Sequence, residues 1–333
     1  MRRRRFGIDE RTNDFLLDIY GAKIKQYSVV CCVSGQMSFL AKDKIMKNLY
    51  VIFLLGFLLA FIPLLAEGDA NRQYLDDYMR VRGDASGAEV TYHWTGTVYS
   101  WIPGQRRREL FKFEGFNVAK TVVTEAGFEL LTREAAFFQD AQSGQILENW
   151  RNPITEETVP VVHIWNDPVN QDMNVDAEYL PYIRRIIPSE DLGDELVYYM
   201  DIFPFYDSPL TRRDHPDYSQ SDTYQAAEFF QFFVDKADLA NDSLSTVPAT
   251  ISWTRISPWM PFMKMGDRAG NLVFVCRGRK LPGGYNDLPQ NIRDYVAQNN
   301  PVFSTAPQEY TEPNMTSWSY FKQLLDAGLY PKP

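Results

Sequence analysis

The stretch "AEVTYHWTGTVYSWIPGQ" puts Val90, Tyr92 and Trp94 on one side of an extended chain, with Thr91, His93 and Thr95 on the other. It then stops at a Pro-Gly turn, and this two-residue period is the mark of a half-buried strand. "ELFKFEGFNVAK" and "FELLTREAAFFQD" repeat the pattern, and the turn "DAQSGQ" follows. "WRNPITEETVPVVHIWND", "DELVYYMDIFPF", "ATISWTRIS" and "NLVFVCRGRKL" read as further strands. About eight short strands set apart by turn signals predict a mainly β, antiparallel barrel or sandwich. "YQAAEFFQFFVDKADLAN" fits helix or strand. Late helices are expected over Leu288–Gln298 and around Trp318, Phe321 and Leu325, with Thr316 or Ser317 as the cap and Gly328 as the stop.

A second pattern precedes the first. "MKNLYVIFLLGFLLAFIPLLAEGDA" starts at Met46, and from Leu49 to Ala66 it carries no charge. Lys42, Lys44 and Lys47 come before it, Pro63 lies near its end, and Gly68-Asp69-Ala70 or Leu64-Leu65-Ala66 supplies a small-residue exit. This predicts an export signal over residues 46–70, or else a membrane anchor through residues 49–66. "RRRRFGI" contains Arg-Arg-x-Phe, but the apolar run lies too far downstream for a twin-arginine signal. Residues 1–45 are therefore expected to be a mis-assigned or disordered leader, with Met46 as the true start. Residues 71–333 would form one β-rich domain or two packed halves, working in the periplasm or outside the cell, or anchored to the membrane.

Charge and cysteine usage follow the same division. Residues 1–66 hold ten Lys/Arg and five Asp/Glu, so of the chain's 34 and 43 the rest keeps 24 and 38. An acidic body lacks the basic face that displaces counterions from phosphates, which argues against nucleic acid as a partner. Cys31 and Cys32 lie upstream of the signal and Cys276 stands alone in the body, so no internal disulfide is available to it.

Motifs for nucleotide binding, serine hydrolysis and zinc peptidase chemistry are absent, and no cofactor is expected. The three histidines, His93, His163 and His215, are far apart in sequence, and no metal site is assigned to them. His163 shares a strand face with Val161 and Trp165, where a titratable ring is either a hydrogen-bonded core group or an acid/base. Asp167 is its candidate orienting carboxylate. His93, on the Thr face, is a candidate ligand contact, His215 lies in a polar loop, and Glu114 reads as the partner of Lys112.

"ISWTRISPWMPFMKMGDRAGNLVFVCRGRKL" is the richest segment. Ile251, Trp253 and Arg255 project together, as do Val273, Val275, Arg277 and Arg279. Paired as a hairpin, these strands are expected to gather three guanidinium groups near an aromatic face. Trp259, Met260, Phe262, Met263 and Met265 in the connecting loop form either a core plug or a lid over a ligand.

"HWTGTVYSWIPG", "LFKFEGFN", "NWRNPITEETVPVVHIWNDPVN", "ISPWMPFMKMG", "CRGRKLPGGY" and "TEPNMTSWSYF" together resemble a bacterial and fungal family known as domain of unknown function 1838. The resemblance runs from about Tyr74 to Phe321. It implies an exported protein and a lipocalin-like antiparallel barrel, and it transfers no catalytic residue. Two functions are expected from the residues. In one, a β-barrel binds, and transforms or merely holds, an apolar anionic small molecule, with Arg255, Arg277 and Arg279 on the anion, Trp253 and Trp259 on the apolar part, and His163 moving a proton. In the other, an envelope protein contacts a protein or polymer through exposed aromatics, with Trp253 and Trp259 packed solid.

Overall fold

The computed structural model describes residues 69–331. The expected leader, the signal or anchor at 46–70 and both upstream cysteines lie outside them, apart from residues 69 and 70. A helix, α1, covers residues 69–82. Three long strands follow, β1 (Glu89–Trp101), β2 (Arg108–Val123) and β3 (Phe128–Gln139), then the short β4 (Asn149–Arg151), β5 (Thr158–Pro160), β6 (Ile164–Asn166) and β7 (Gln171–Asp172). A helical turn α2 (Ile183–Ile186) leads to β8 (Ser189–Asp191), β9 (Glu195–Ile202), β10 (Phe205–Asp207), β11 (Thr223–Gln225) and β12 (Ala227–Asp235). After α3 (Lys236–Leu239) come β13 (Thr250–Ser257), β14 (Asn271–Leu281), α4 (Gln290–Asn299) and α5 (Ser317–Asp326).

Among the described residues all strand pairings are antiparallel, and ten strands share one sheet in the order β6-β3-β2-β1-β14-β13-β12-β9-β8, with β7 also on β3. The mainly β, antiparallel expectation therefore stands. The ladder does not close on itself, since the β6/β7 edge and the β8 edge do not pair. The segment that fitted helix or strand is β11 and β12 followed by the single turn of α3. α1 is a helix that the sequence reading left unassigned.

One face of the sheet, the inner face, carries Tyr92, Trp94 and Val98 of β1, Phe111 and Phe113 of β2, Phe128, Ala136 and Phe138 of β3, and Phe274 of β14. Tyr74, Leu75, Tyr78 and Val81 of α1 pack on it, as do Trp318 and Phe321 of α5. Trp259, Met260, Phe262, Met263 and Met265 are all buried in the same core, so the loop between β13 and β14 is a plug. A smaller core lies on the outer face, where Phe116, Ala135, Phe137 and Trp165 meet Ile292 and Val296 of α4 and Phe303.

The sheet curls tightly around the larger core. The Tyr78 ring lies 6.4 Å from Phe128 on β3 and 6.5 Å from Phe232 on β12. Those strands are five positions apart, roughly 24 Å in a flat sheet, so one ring reaches both only if the sheet wraps around it. Phe113 on β2 and Trp253 on β13 are likewise 6.2 Å apart. Crowding on the inside of the bend is relieved by glycine. Trp94 has Gly115 as its neighbour on β2 and Gly278 on β14. A Cβ on Gly115 would sit 2.7 Å from the Ala136 Cβ and 2.8 Å from the Trp94 indole, and one on Gly278 would sit 2.2 Å from the His93 carbonyl.

α1 and α5 are each held by polar contacts. Lys280 of β14 donates to the carbonyls of Arg80 (2.7 Å) and Gly83 (3.1 Å) and to the Thr246 hydroxyl (2.8 Å), capping the C-terminal end of α1. Thr316 is the cap of α5. Its hydroxyl accepts from the Ser319 N–H, and the Ser319 hydroxyl accepts from the Thr316 N–H.

Because the Ala136 methyl and a packed indole both bound the space at position 115, Gly115→Ala should destabilise the protein by about 1–3 kcal/mol. Chemical denaturation measures it, and an unchanged midpoint would contradict the crowding described here.

Candidate functional site

Side chains directly opposite one another on antiparallel strands share a face. Arg255 is paired with Phe274 and Glu228, which puts it inside. Arg277 is paired with Ser252 and Thr95, and Arg279 with Thr250 and His93, which puts both outside and exposed. The expected convergence of three arginines therefore does not occur. Measured from Phe274, positions 277 and 279 are an odd number of residues away, so the pleat sends them to the other face.

The two histidines of interest are also on the outer side. His93 Nε2 is 2.8 Å from Glu114 Oε1, while Gln139 donates to Glu114 Oε2 at 2.7 Å. Glu114 is thus not the partner of Lys112, which pairs with Glu109 at 2.7 Å. His163 is buried, and its Nδ1 accepts from the Phe138 backbone N–H at 3.2 Å, which leaves the neutral ring's proton on Nε2. It packs against the rings of Phe137, Phe138 and Tyr295. Asp167 is held by Arg133 Nε at 2.8 Å, and Arg133 also donates to the Thr305 carbonyl. Asp167 therefore serves Arg133 where the sequence reading paired it with His163. Among the described residues no cluster of three or more histidine, cysteine or acidic side chains is placed to hold a metal ion. Burial pushes the Cys276 thiol up, which removes it as a nucleophile.

The inner face holds a different and tighter constellation. Arg255, 8% exposed, donates from Nη2 to the Tyr224 hydroxyl at 2.6 Å, and its Nε lies 3.5 Å from Glu228 Oε1. Trp253 Nε1 donates to Glu228 Oε2 at 3.1 Å. Trp318 of α5 stands against Tyr224 with ring centroids 4.7 Å apart and 5.8 Å from the Arg255 guanidinium. Across the curl, Glu134 of β3 is hydrogen-bonded to Asn166 of β6 and feels the charges of both Glu228 and Arg255. Burial and the neighbouring Glu228 together raise Glu134 to about 7 from the ordinary 4.5, against the opposing pull of Arg255. Glu134 nonetheless keeps part of its surface accessible, as do its inward-facing neighbours Asn117, Glu228, Phe230 and Met200.

Three buried polar atoms in this region have no hydrogen-bond partner among the described residues: Trp94 Nε1, Arg255 Nε and Asn166 Oδ1. They border one region, because Trp94 packs 6.2 Å from Trp253, Trp253 holds Glu228, Glu228 pairs with Arg255, and Asn166 holds Glu134. Of the residues named from sequence, Arg255 and Trp253 belong to this cluster, and Trp259 lies in the plug. Glu134 and Glu228 were missed, although the signal was present: each is a carboxylate on a strand face rich in apolar side chains, Glu134 between Thr132 and Ala136, and Glu228 ahead of Phe230 and Phe232.

A protein-family model described as a protein of unknown function, DUF1838, matches residues 87–325. The chain belongs to the DUF1838 family. No curated protein matches it. The whole inner cluster, from Trp94 to Trp318, falls inside the DUF1838 segment, whereas α1 precedes it.

Glu134 gives this DUF1838 domain a pH signature. The folded state keeps the Glu134 proton up to about pH 7 while the unfolded chain releases it near 4.5, so this residue makes stability fall as pH rises between those values. Glu134→Gln should remove that fall. The variant is expected to match wild type near pH 4 and to exceed it at pH 8 by at most about 3 kcal/mol. Paired denaturation curves at the two pH values test this, and a constant offset between the proteins would refute it.

Proposed function

We propose that this domain binds an apolar small molecule inside the curled sheet, with the molecule's polar end against Glu134, Asn166 and Arg255. The observation that carries the reading is the group of three buried polar atoms without a hydrogen bond around one cluster, Arg255 Nε among them with only the 3.5 Å ion pair to Glu228. Buried donors and acceptors in folded proteins are nearly always satisfied, and each unsatisfied one costs about 1–3 kcal/mol. Trp94 and Arg255 offer donors there, and Asn166 offers an acceptor. Trp94, Trp253, Phe230 and Trp318 supply apolar and aromatic surface around them, a common composition for a small-molecule site.

The polar end is best read as a hydroxyl or carbonyl group. Arg255 already meets Glu228 and the nearby Glu134, so an acidic ligand of the kind expected from the sequence would bring a third carboxylate to one guanidinium. His163 and Asp167, placed on the outer side, have no part in this reading. The export proposal rests on residues 46–70 of the sequence alone.

A second reading, contact with a protein or polymer through exposed aromatics, draws on Phe203 and Phe205, which are 66% and 69% exposed at the end of β9 and start of β10. Native mass spectrometry of protein purified from its own host separates the two. A retained small molecule is expected in wild type. Trp94→Phe keeps a ring but loses the N–H, and should retain that molecule about tenfold less well, the worth of one hydrogen bond. Protein that always arrives empty would overturn the binding reading.

A further inference from the structure

The outer face of the same central strands carries a second set of hydrogen-bond donors. Arg277 stands between Thr95 and Ser252, and Arg279, two residues on, stands between His93 and Thr250. All six side chains project from the outer face, in two rows across β1, β14 and β13. With strands about 4.8 Å apart and alternate residues about 6.7 Å apart, the grid measures on the order of 10 by 7 Å. Arg277, Arg279, Thr95 and Thr250 are exposed, and His93 and Ser252 are half-buried.

Neither arginine has a hydrogen-bond or ion-pair partner among the described residues, although carboxylates outnumber Lys and Arg by 38 to 24 in the body. The nearest carboxylate in the register, Glu114 opposite Thr95, is taken up by His93 at 2.8 Å and Gln139 at 2.7 Å. The next cation along the face, Lys112, is already paired with Glu109. Two like charges thus stand side by side with hydroxyls on both flanks, in a protein rich in unused acids. The guanidinium fork suits an oxyanion in a bidentate grip, and the flanking hydroxyls can add further hydrogen bonds.

We propose that Arg277 and Arg279, flanked by Thr95, His93, Thr250 and Ser252, form a binding site for the oxyanion group of a ligand on the outer face of the sheet. The site lies on the opposite face from Arg255 and is independent of the inner cluster, so the failure of one leaves the other standing. A phosphate, a sulfate and a carboxylate share the required chemistry, and the probes below distinguish them.

Calorimetric titration of the full chain with inorganic phosphate, inorganic sulfate and acetate, at low ionic strength and constant pH, tests the proposal. Saturable binding of at least one probe is expected, weakened about tenfold or more in Arg277→Gln or Arg279→Gln and lost in the double variant. Arg106→Gln, an exposed arginine in the turn after β1, should bind as wild type does. Binding of phosphate or sulfate without acetate assigns a tetrahedral oxyanion, and binding of acetate alone assigns a carboxylate. The proposal is overturned if wild type saturates with none of the three, or if the double variant binds as wild type does. Near-UV circular dichroism identical to wild type shows that the surface variants remain folded.

Discussion

Everything inside this domain follows from how closely its sheet is bent. Side chains on the inside of a bend compete for space, and the competition is sharpest around the Trp94 indole. Glycine on both flanking strands, at 115 and 278, gives that ring room to lie across its neighbours. Larger residues there would push β2 and β14 away from Trp94 and open the curl. The bend lets Tyr78 touch strands from opposite parts of the sheet, and it brings the Glu134 carboxyl within electrostatic reach of Glu228 and Arg255. In a flat sheet these groups would be too far apart to influence one another.

The polar cluster that results is costly. One guanidinium faces two carboxyl groups in a place where charge is poorly solvated, and ion pairs in such places seldom repay their desolvation fully. Keeping the proton on Glu134 near neutral pH relieves part of the cost, because one positive then meets one negative group. The remaining unsatisfied atoms are a further cost that an apolar core would not bear. The arrangement sits at the centre of the fold beside a space filled by the Trp259 and Met260 plug, and under the proposed reading a bound molecule would satisfy it.

Local order was legible in the sequence, and long-range order was not. Alternation in "TYHWTGTVYSW" places β1 and its inner face, and the helical spacing of Trp318 and Phe321 places α5. Arg255 and Trp253 were visible because a charge and an indole stand out on a strand. Their real neighbours were hidden, because Glu228 and Glu134 arrive from strands whose order follows from topology, which a two-residue period does not encode. The relation of Arg255 to Arg277 turned on a single residue of hairpin register, and a slip of one inverts every face. α1 escaped notice because its apolar residues, Tyr74, Leu75, Tyr78 and Val81, sit among charges and beside a stronger apolar run.

The pairing at the centre of the sheet also bears on how the chain assembles. β1 and β14 are adjacent, yet Thr91 and Leu281 are roughly 190 residues apart along the backbone, and contacts of such long loop closure form slowly. A ribosome must therefore deliver nearly the entire polypeptide before the two halves can zip together. Until that moment the β1/β2 hairpin keeps the border of β1 that faces β14 unpaired.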